Sequence, residues 1–194
     1  MSYDYGRIEE KLKKKVNEKR YIHTLGVSYT ATSLAMRFGA DMEDARVAGL
    51  LHDYAKGYSD EELLHKCKKR GLPISDTEKK SPYLLHGKLA AWYAKEKFDI
   101  HKQEVLDAIT YHTTGRGDMC LLEKIIFCAD FIEPNRKPLK HLPAIREACF
   151  ADIDKGVYMI LHDTLEYLGG TMNREIDEHS KEAYEFYKKK WLGK

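Results

Sequence analysis

The chain has 194 residues, of which 43% are hydrophobic and 33% charged, and its formal net charge is only +2. This length is enough to bury a hydrophobic core in a single domain. The near balance of charge argues against the large basic field with which proteins bind nucleic acid. No window stays apolar over the ~20 residues that cross a bilayer, and the start MSYDYGRIEEKLKKK has no apolar core of a secretory signal. We therefore expect a cytoplasmic protein with neither a membrane nor a nucleic acid as partner.

Helical periodicity recurs along the chain, whereas no stretch alternates at period two between turn residues as a strand does. The first half predicts helices over 6–19 and 21–38, one that Asp41 caps and that runs into GLLHDYAK, one that begins after Ser59 and stops before Pro73, and one over 82–97. The second half predicts helices over 102–112, 118–132, 143–168 and about 174–191. The sequence thus predicts an all-α bundle of about eight or nine helices, forming one domain over 1–194.

The adjacent pair His52-Asp53 is the first candidate for chemistry. Neighbouring side chains on a helix point about 100° apart, so two ligands converge on one ion only near a helix end. This pair stands where a helix is predicted to end. The dipeptide alone is weak evidence, since chance gives about 0.65 such pairs in this composition, and a second pair, His162-Asp163, is interpreted as incidental.

Further polar residues occupy helix ends or apolar surroundings. They are His23, His86 and His112, together with Asp130 inside the apolar stretch IIFCADFIEP. A buried carboxylate is costly unless it is paired or bound to metal, so Asp130 is predicted to be a ligand, with a buried salt bridge or a helix cap as the alternative. Imidazole and carboxylate donors together suit iron, manganese, zinc or similar divalent ions.

The order His23, His52-Asp53, Asp130 resembles the HD-domain superfamily of metal-dependent phosphohydrolases. Within it, the chain looks like the bacterial YqeK family of symmetrical diadenosine-tetraphosphate hydrolases, over residues from about 8 to about 165. The segments that carry this resemblance are RYIHTLGV (20–27), AGLLHDYAKG (48–57), LLHGKLAA (84–91), YHTTG (111–115) and KIIFCADFIEPNR (124–136). The last 25 or so residues carry no recognised motif.

The resemblance implies the ligands of a metal site. Its residues would be His23, His52, Asp53 and Asp130. Iron is the metal that the family suggests, with manganese or another divalent ion as alternatives. His86 and His112 match positions that bind a second ion in two-metal HD proteins, with Asp53 as the bridge, and that face phosphates in one-metal members. The sequence leaves one or two ions open.

The catalytic and substrate-binding residues are likewise inferred by resemblance and position. Asp53, His86, His112 and Lys56 are expected to be catalytic. The substrate-binding set comprises Arg20, Lys56, His86, His112, Thr113 and Arg136. Arginine suits bidentate contact with phosphate, which favours Arg136 after the Pro134 turn. For Lys56 and Arg20, the alternative to phosphate binding is an ordinary solvated position on the surface.

The implied activity is hydrolysis of a dinucleoside tetraphosphate, diadenosine tetraphosphate first, into two nucleoside diphosphates. One alternative is another HD nucleotidase or phosphodiesterase, which would share the metal ligands and differ in its pocket. Another is a nucleotide sensor without catalysis, against which the full ligand set argues. A purely structural helical adaptor is a third alternative, but it does not explain why polar residues occur at apolar helix faces. A homodimer is a further expectation.

Overall fold

A computed structural model describes residues 3–171 and 176–193 and shows an all-helical chain, as predicted. Within these residues there are eleven α-helices and no strand. The helices are α1 (Tyr5–Lys15), α2 (Glu18–Phe38), α3 (Met42–Leu51), α4 (Asp60–Lys69), α5 (Asp76–Lys80), α6 (Leu85–Phe98), α7 (Gln103–Tyr111), α8 (Leu121–Ile132), α9 (Leu142–Ala151), α10 (Ile153–Glu166) and α11 (Glu178–Leu192). A 3₁₀ turn, Pro82–Leu84, leads into α6, and a π-helical turn, Tyr167–Thr171, follows α10.

Capping side chains set several of these boundaries. Asp41 accepts a hydrogen bond from the backbone N–H of Asp44 at the start of α3, and Ser59 forms a capping box with Glu62 at the start of α4. Both helices therefore start where the sequence predicts. Asn17 caps α2 in the same way. The predicted helix over 6–19 is therefore wrong at its end, because this cap assigns residues 18–20 to α2.

The predicted count of eight or nine helices was too low, for two local reasons. The single helix predicted over 143–168 is interrupted at Asp152, whose carboxylate accepts hydrogen bonds from the N–H groups of Asp154 and Lys155 and starts α10 anew. The short α5 was missed, although Ser75 and Glu78 form a capping box at its start.

The last predicted helix, about 174–191, lies partly outside the described residues. Within them α11 starts at Glu178, where Asp177 supplies the cap. In the part of the chain that the structure describes, no helix is both long enough and apolar enough to span a membrane.

The long helix α2 organises the core, because α3 and α8 both pack along it. The contact with α3 depends on Gly49, where an added Cβ would lie 2.7 Å from the Cα of Ser28. Leu34 of α2, Leu50 of α3 and Ile126 of α8 are buried in the same hydrophobic core. This close approach of two backbones brings the end of α3 beside the first turns of α2 and the end of α8.

Candidate metal centre

Four helices direct histidines toward one buried point. His23 lies in α2 and His86 at the start of α6, while His52 and His112 follow directly after the ends of α3 and α7. Their exposures range from 0% to 9%. Asp130, near the end of α8, faces the same point. The structure therefore brings together the residues that the sequence singled out from five separate segments.

The turn after α3 lets the neighbours His52 and Asp53 act together. His52 ends the helix, and the next residues form tight i to i+3 hydrogen bonds, from the N–H of Tyr54 to Leu51 and from that of Lys56 to Asp53. This turn departs from the 100° spacing of an α-helix. As a result, His52 Nε2 lies 3.4 Å from Asp53 Oδ2.

The orientation of three imidazoles is set by their own backbone. In each, Nδ1–H donates to the carbonyl oxygen three residues earlier, which leaves the Nε2 lone pair free to face the centre. The acceptors are Gly49 at 2.7 Å for His52, Tyr83 at 2.5 Å for His86 and Ile109 at 2.7 Å for His112.

The imidazole of His23 is oriented by a carboxylate, that of Glu133, rather than by a backbone carbonyl. Its Nδ1 lies 3.1 Å from Glu133 Oε1, and Glu133 is only 1% exposed. The N–H of Asn135 donates to the other carboxylate oxygen at 2.7 Å. The sequence analysis did not predict a role for Glu133, although a second acidic residue at the end of the apolar run FCADFIEP was a usable signal.

One side of the cluster carries donor atoms without protein partners. His23 Nε2 lies 3.0 Å from Asp130 Oδ1, and the nearest ligand atoms of His23, His52 and Asp130 all lie within 4.8 Å of one another. Within the described residues, His23 Nε2, His52 Nε2 and Asp53 Oδ1 are buried without a hydrogen-bond partner. Such burial is costly unless something compensates it. The donor set therefore fits a divalent metal ion, and mixed nitrogen and oxygen donors suit a transition metal.

His86 and His112 form the other side of the cluster and face this unpartnered carboxylate oxygen of Asp53. Asp53 Oδ1 lies 3.2 Å from His86 Nε2 and 3.5 Å from His112 Nε2. The two histidine Nε2 atoms are 3.1 Å apart. The Lys56 ammonium donates to His86 Nε2 at 3.1 Å, and the Thr113 hydroxyl lies 3.0 Å from His112 Nε2.

The charges of the cluster perturb its titration. Burial alone would raise the pKa of Asp53, but the electrostatic attraction of the neighbouring His52 opposes this, and the pKa of that carboxyl group lies well below its ordinary value. Burial and the nearby Lys56 ammonium lower the pKa of His86 to about 4. His86 is therefore neutral near pH 7, and burial also lowers the pKa of Lys56.

Two arginines stand at the edge of the cluster. Arg20 Nη1 donates to Asp53 Oδ2 at 2.5 Å, one turn before His23 on α2. Arg136 lies over the ring of Phe131, 5.5 Å from its centroid, and makes no direct contact with the histidines among the contacts described. Both arginines, with His23, line a cavity of about 1720 Å³ between α2, the loop after α8 and the end of α10.

The second pair, His162-Asp163, does not join the cluster. It lies within α10, where the two side chains diverge. His162 lies 3.7 Å from Glu166 and is 44% exposed. Asp163 pairs with His141 at 3.0 Å. The prediction that this pair plays no part in the metal site agrees with its position.

The chain is similar to several known proteins. The family model for the HD domain matches residues 20–135. The symmetrical bis(5'-nucleosyl)-tetraphosphatase of Bacillus subtilis is 37% identical over 81% of this chain and 83% of its own. The protein of the same name in Staphylococcus aureus is 37% identical over 87% of this chain and 86% of its own. A crystal structure from Clostridium acetobutylicum, described as that of a predicted HD superfamily hydrolase involved in NAD metabolism, superimposes with a TM-score of 0.93 at 36% identity, over 98% of this chain and 100% of that one.

Proposed function

This chain belongs to the HD domain family, and on that premise we propose that it is a metal-dependent hydrolase that cleaves diadenosine tetraphosphate symmetrically into two ADP. One observation carries the proposal: unpartnered histidine and carboxylate atoms converge beside a large cavity whose walls include cationic side chains. The names of the relatives from Bacillus subtilis and Staphylococcus aureus support this substrate and the symmetrical cut.

The proposed metal ligands are His23, His52, Asp53 and Asp130. The unpartnered Nε2 atoms of His23 and His52 support this assignment, since Asp130 Oδ1 lies 3.0 Å from the first and Asp53 Oδ2 lies 3.4 Å from the second. Glu133 would hold the imidazole of His23 in the tautomer that leaves Nε2 free. We propose iron as the native ion, on the family resemblance. A divalent ion held there supplies Lewis-acid chemistry, since it acidifies water and polarises phosphoryl oxygens.

We favour one ion over two because of Lys56. A second ion bound by His86 and His112 would stand beside the Lys56 ammonium, which lies 3.1 Å from His86 Nε2. Like charges at such a distance repel strongly where water is excluded. His86 and His112 are then free to face the phosphates, with Lys56 and Thr113 beside them.

The cationic side chains around the proposed metal ligands would stabilise the negative charge of the phosphates. Lys56 and Arg20 supply positive charge next to Asp53, and Arg136 supplies it further along the cavity wall. Charge that spreads over the phosphoryl oxygens as the bridging bond breaks is stabilised by such preorganised cations. Asp53 Oδ1 has no hydrogen-bond partner within the described residues, so it is available to accept one from the attacking water and orient it.

The size of the cavity supports a substrate with two nucleosides. Pockets for small ligands usually hold ~300–1,000 Å³, and this cavity of about 1720 Å³ exceeds that range. The rival HD activities, on mononucleotides or cyclic nucleotides, need less room. Homodimer formation and the absence of nucleic-acid binding stay predictions, which light scattering and gel-shift measurements test.

A substrate panel tests the proposed function. Protein loaded with iron or manganese should turn over diadenosine tetraphosphate with a kcat/KM at least tenfold above those for mononucleotides and cyclic nucleotides. Preferred turnover of a mononucleotide or a cyclic nucleotide would identify another HD phosphohydrolase instead. Binding of diadenosine tetraphosphate without turnover of any nucleotide would identify a sensor.

A further inference from the structure

The wall of the cavity away from the histidine cluster comprises the loop after α8 and the end of α10. The loop residues 137–141 are all exposed, and two basic residues among them, Lys137 and Lys140, line the cavity. On the α10 side the wall includes Asp163 and Tyr167. None of these residues belongs to the ligand cluster or to the contacts that orient it.

Exposed apolar side chains gather at this cavity. Eight large hydrophobic residues are exposed in the described part of the chain, and three of them, Ile22, Leu139 and Tyr167, line it. Their exposures are 45%, 47% and 55%. Apolar surface that stays exposed beside polar groups marks a ligand groove. An aromatic ring and aliphatic side chains offer the flat, apolar contact that a purine base needs.

A carboxylate accompanies this apolar surface. Asp163 lies 3.0 Å from His141 Nδ1, across the gap between α10 and the loop, and its side chain keeps 24% of its surface exposed. The imidazole Nδ1 lies 3.1 Å and 3.0 Å from the two carboxylate oxygens, and each oxygen keeps a further lone pair to accept a hydrogen bond. Carboxylates bind the hydroxyl groups of ribose in nucleotide sites by accepting their hydrogen bonds.

We propose that Leu139, Asp163 and Tyr167 form a subsite for one of the two nucleosides of the substrate, and this inference rests on the proposed function. Tyr167 stacks on the base, Leu139 covers it, and Asp163, held by His141, binds the ribose. The phosphates extend from there toward Arg136, Arg20 and the histidine cluster, along the wall that these residues share. The subsite contributes binding energy, so it lowers KM rather than raising kcat.

The test is the kinetics of the metal-loaded Tyr167→Ala protein with diadenosine tetraphosphate. Loss of one stacked base should raise KM about tenfold with kcat unchanged. Tyr167→Phe keeps the ring and should stay near the wild-type KM, and Asp163→Asn should raise KM several-fold. Tyr29→Ala removes another exposed tyrosine, 63% accessible and outside the cavity wall, and should leave both KM and kcat unchanged.

Inorganic tripolyphosphate, which has phosphates but no nucleoside, supplies the second readout. Its inhibition constant should be the same for the wild type and Tyr167→Ala. An unchanged KM in Tyr167→Ala, or an inhibition constant for tripolyphosphate that rises together with KM, overturns the subsite. A wild-type protein that does not cleave diadenosine tetraphosphate at all refutes the proposed function instead, so the two failures are distinguishable.

Discussion

The two His-Asp pairs of this chain share a dipeptide and differ in everything around it. His52-Asp53 follows the end of α3, with exposures of 0% and 3%, among three other histidines. His162-Asp163 lies inside α10, and its two residues pair with different partners, Glu166 and His141. The comparison indicates that a helix end and a buried setting, rather than the dipeptide itself, distinguish the proposed ligand pair from the incidental one.

The largest effect should come from removing the carboxylate of the first pair. Asp53→Ala deletes a proposed ligand and the acceptor for the attacking water, so kcat for diadenosine tetraphosphate should fall ~10³-fold or more. His162→Ala, in the second pair, should keep the wild-type kcat. Steady-state kinetics with metal analysis measures both, and full activity in metal-loaded Asp53→Ala would show that the site is assigned wrongly.

The next largest effect should be on metal affinity, when the carboxylate that pairs with a histidine is replaced. Glu133→Gln weakens the hold on His23 Nδ1 and should lower metal affinity ~10–100-fold. Glu166→Gln removes the corresponding partner of His162 and should leave metal affinity unchanged. Titration with a competing chelator measures this difference, and equal affinities in the two variants would refute the positioning role of Glu133.

A third test uses two glycines at close backbone contacts. A Cβ at Gly49 would lie 2.7 Å from the Cα of Ser28, and one at Gly156 would lie 2.8 Å from the Cα of Cys149. Each alanine substitution should reduce the free energy of unfolding by ~1–3 kcal/mol, measured by urea denaturation.

The two glycine variants should differ in activity. Gly49 O accepts the hydrogen bond from His52 Nδ1, so Gly49→Ala should also lower kcat, at a temperature where both proteins remain folded. Gly156→Ala, in α10, should lose stability alone. Equal kcat in the two variants would mean that the α2–α3 approach does not position His52.

The smallest effect should be on stability at the second pair. His162 stacks beside Tyr158 and Tyr184, with centroids 6.1 Å and 6.2 Å away, on a partly exposed face. His162→Ala should therefore change the free energy of unfolding by less than ~1 kcal/mol. A larger loss in urea denaturation would show that this ring stack contributes to the core.

Much of the fold and the cluster could be predicted from the sequence, because both depend on local or ordered signals. Helical periodicity and the caps at Asp41 and Ser59 predicted most helices. The break at Asp152 was missed because periodicity continues across it. The order of segments around His23, His52 and Asp130 indicated which residues would meet, through the resemblance rather than through spacing alone.

The rest depends on tertiary contacts that no local pattern reveals. The pairing of Glu133 with His23 joins residues 110 positions apart in the sequence. The cavity wall requires the loop before α9 to lie against the end of α10, and Asp163 finds its partner, His141, only there. Asp163 belongs to the pair that the sequence analysis interpreted as incidental, yet it lies in the proposed nucleoside subsite.

The products formed from diadenosine tetraphosphate decide between a symmetrical and an asymmetric cut. Wild-type protein loaded with iron or manganese is incubated with diadenosine tetraphosphate, and the nucleotides are separated by ion-exchange chromatography. We expect two ADP for each substrate consumed, with no AMP or ATP. Equal amounts of AMP and ATP would show an asymmetric cut and contradict the proposed function.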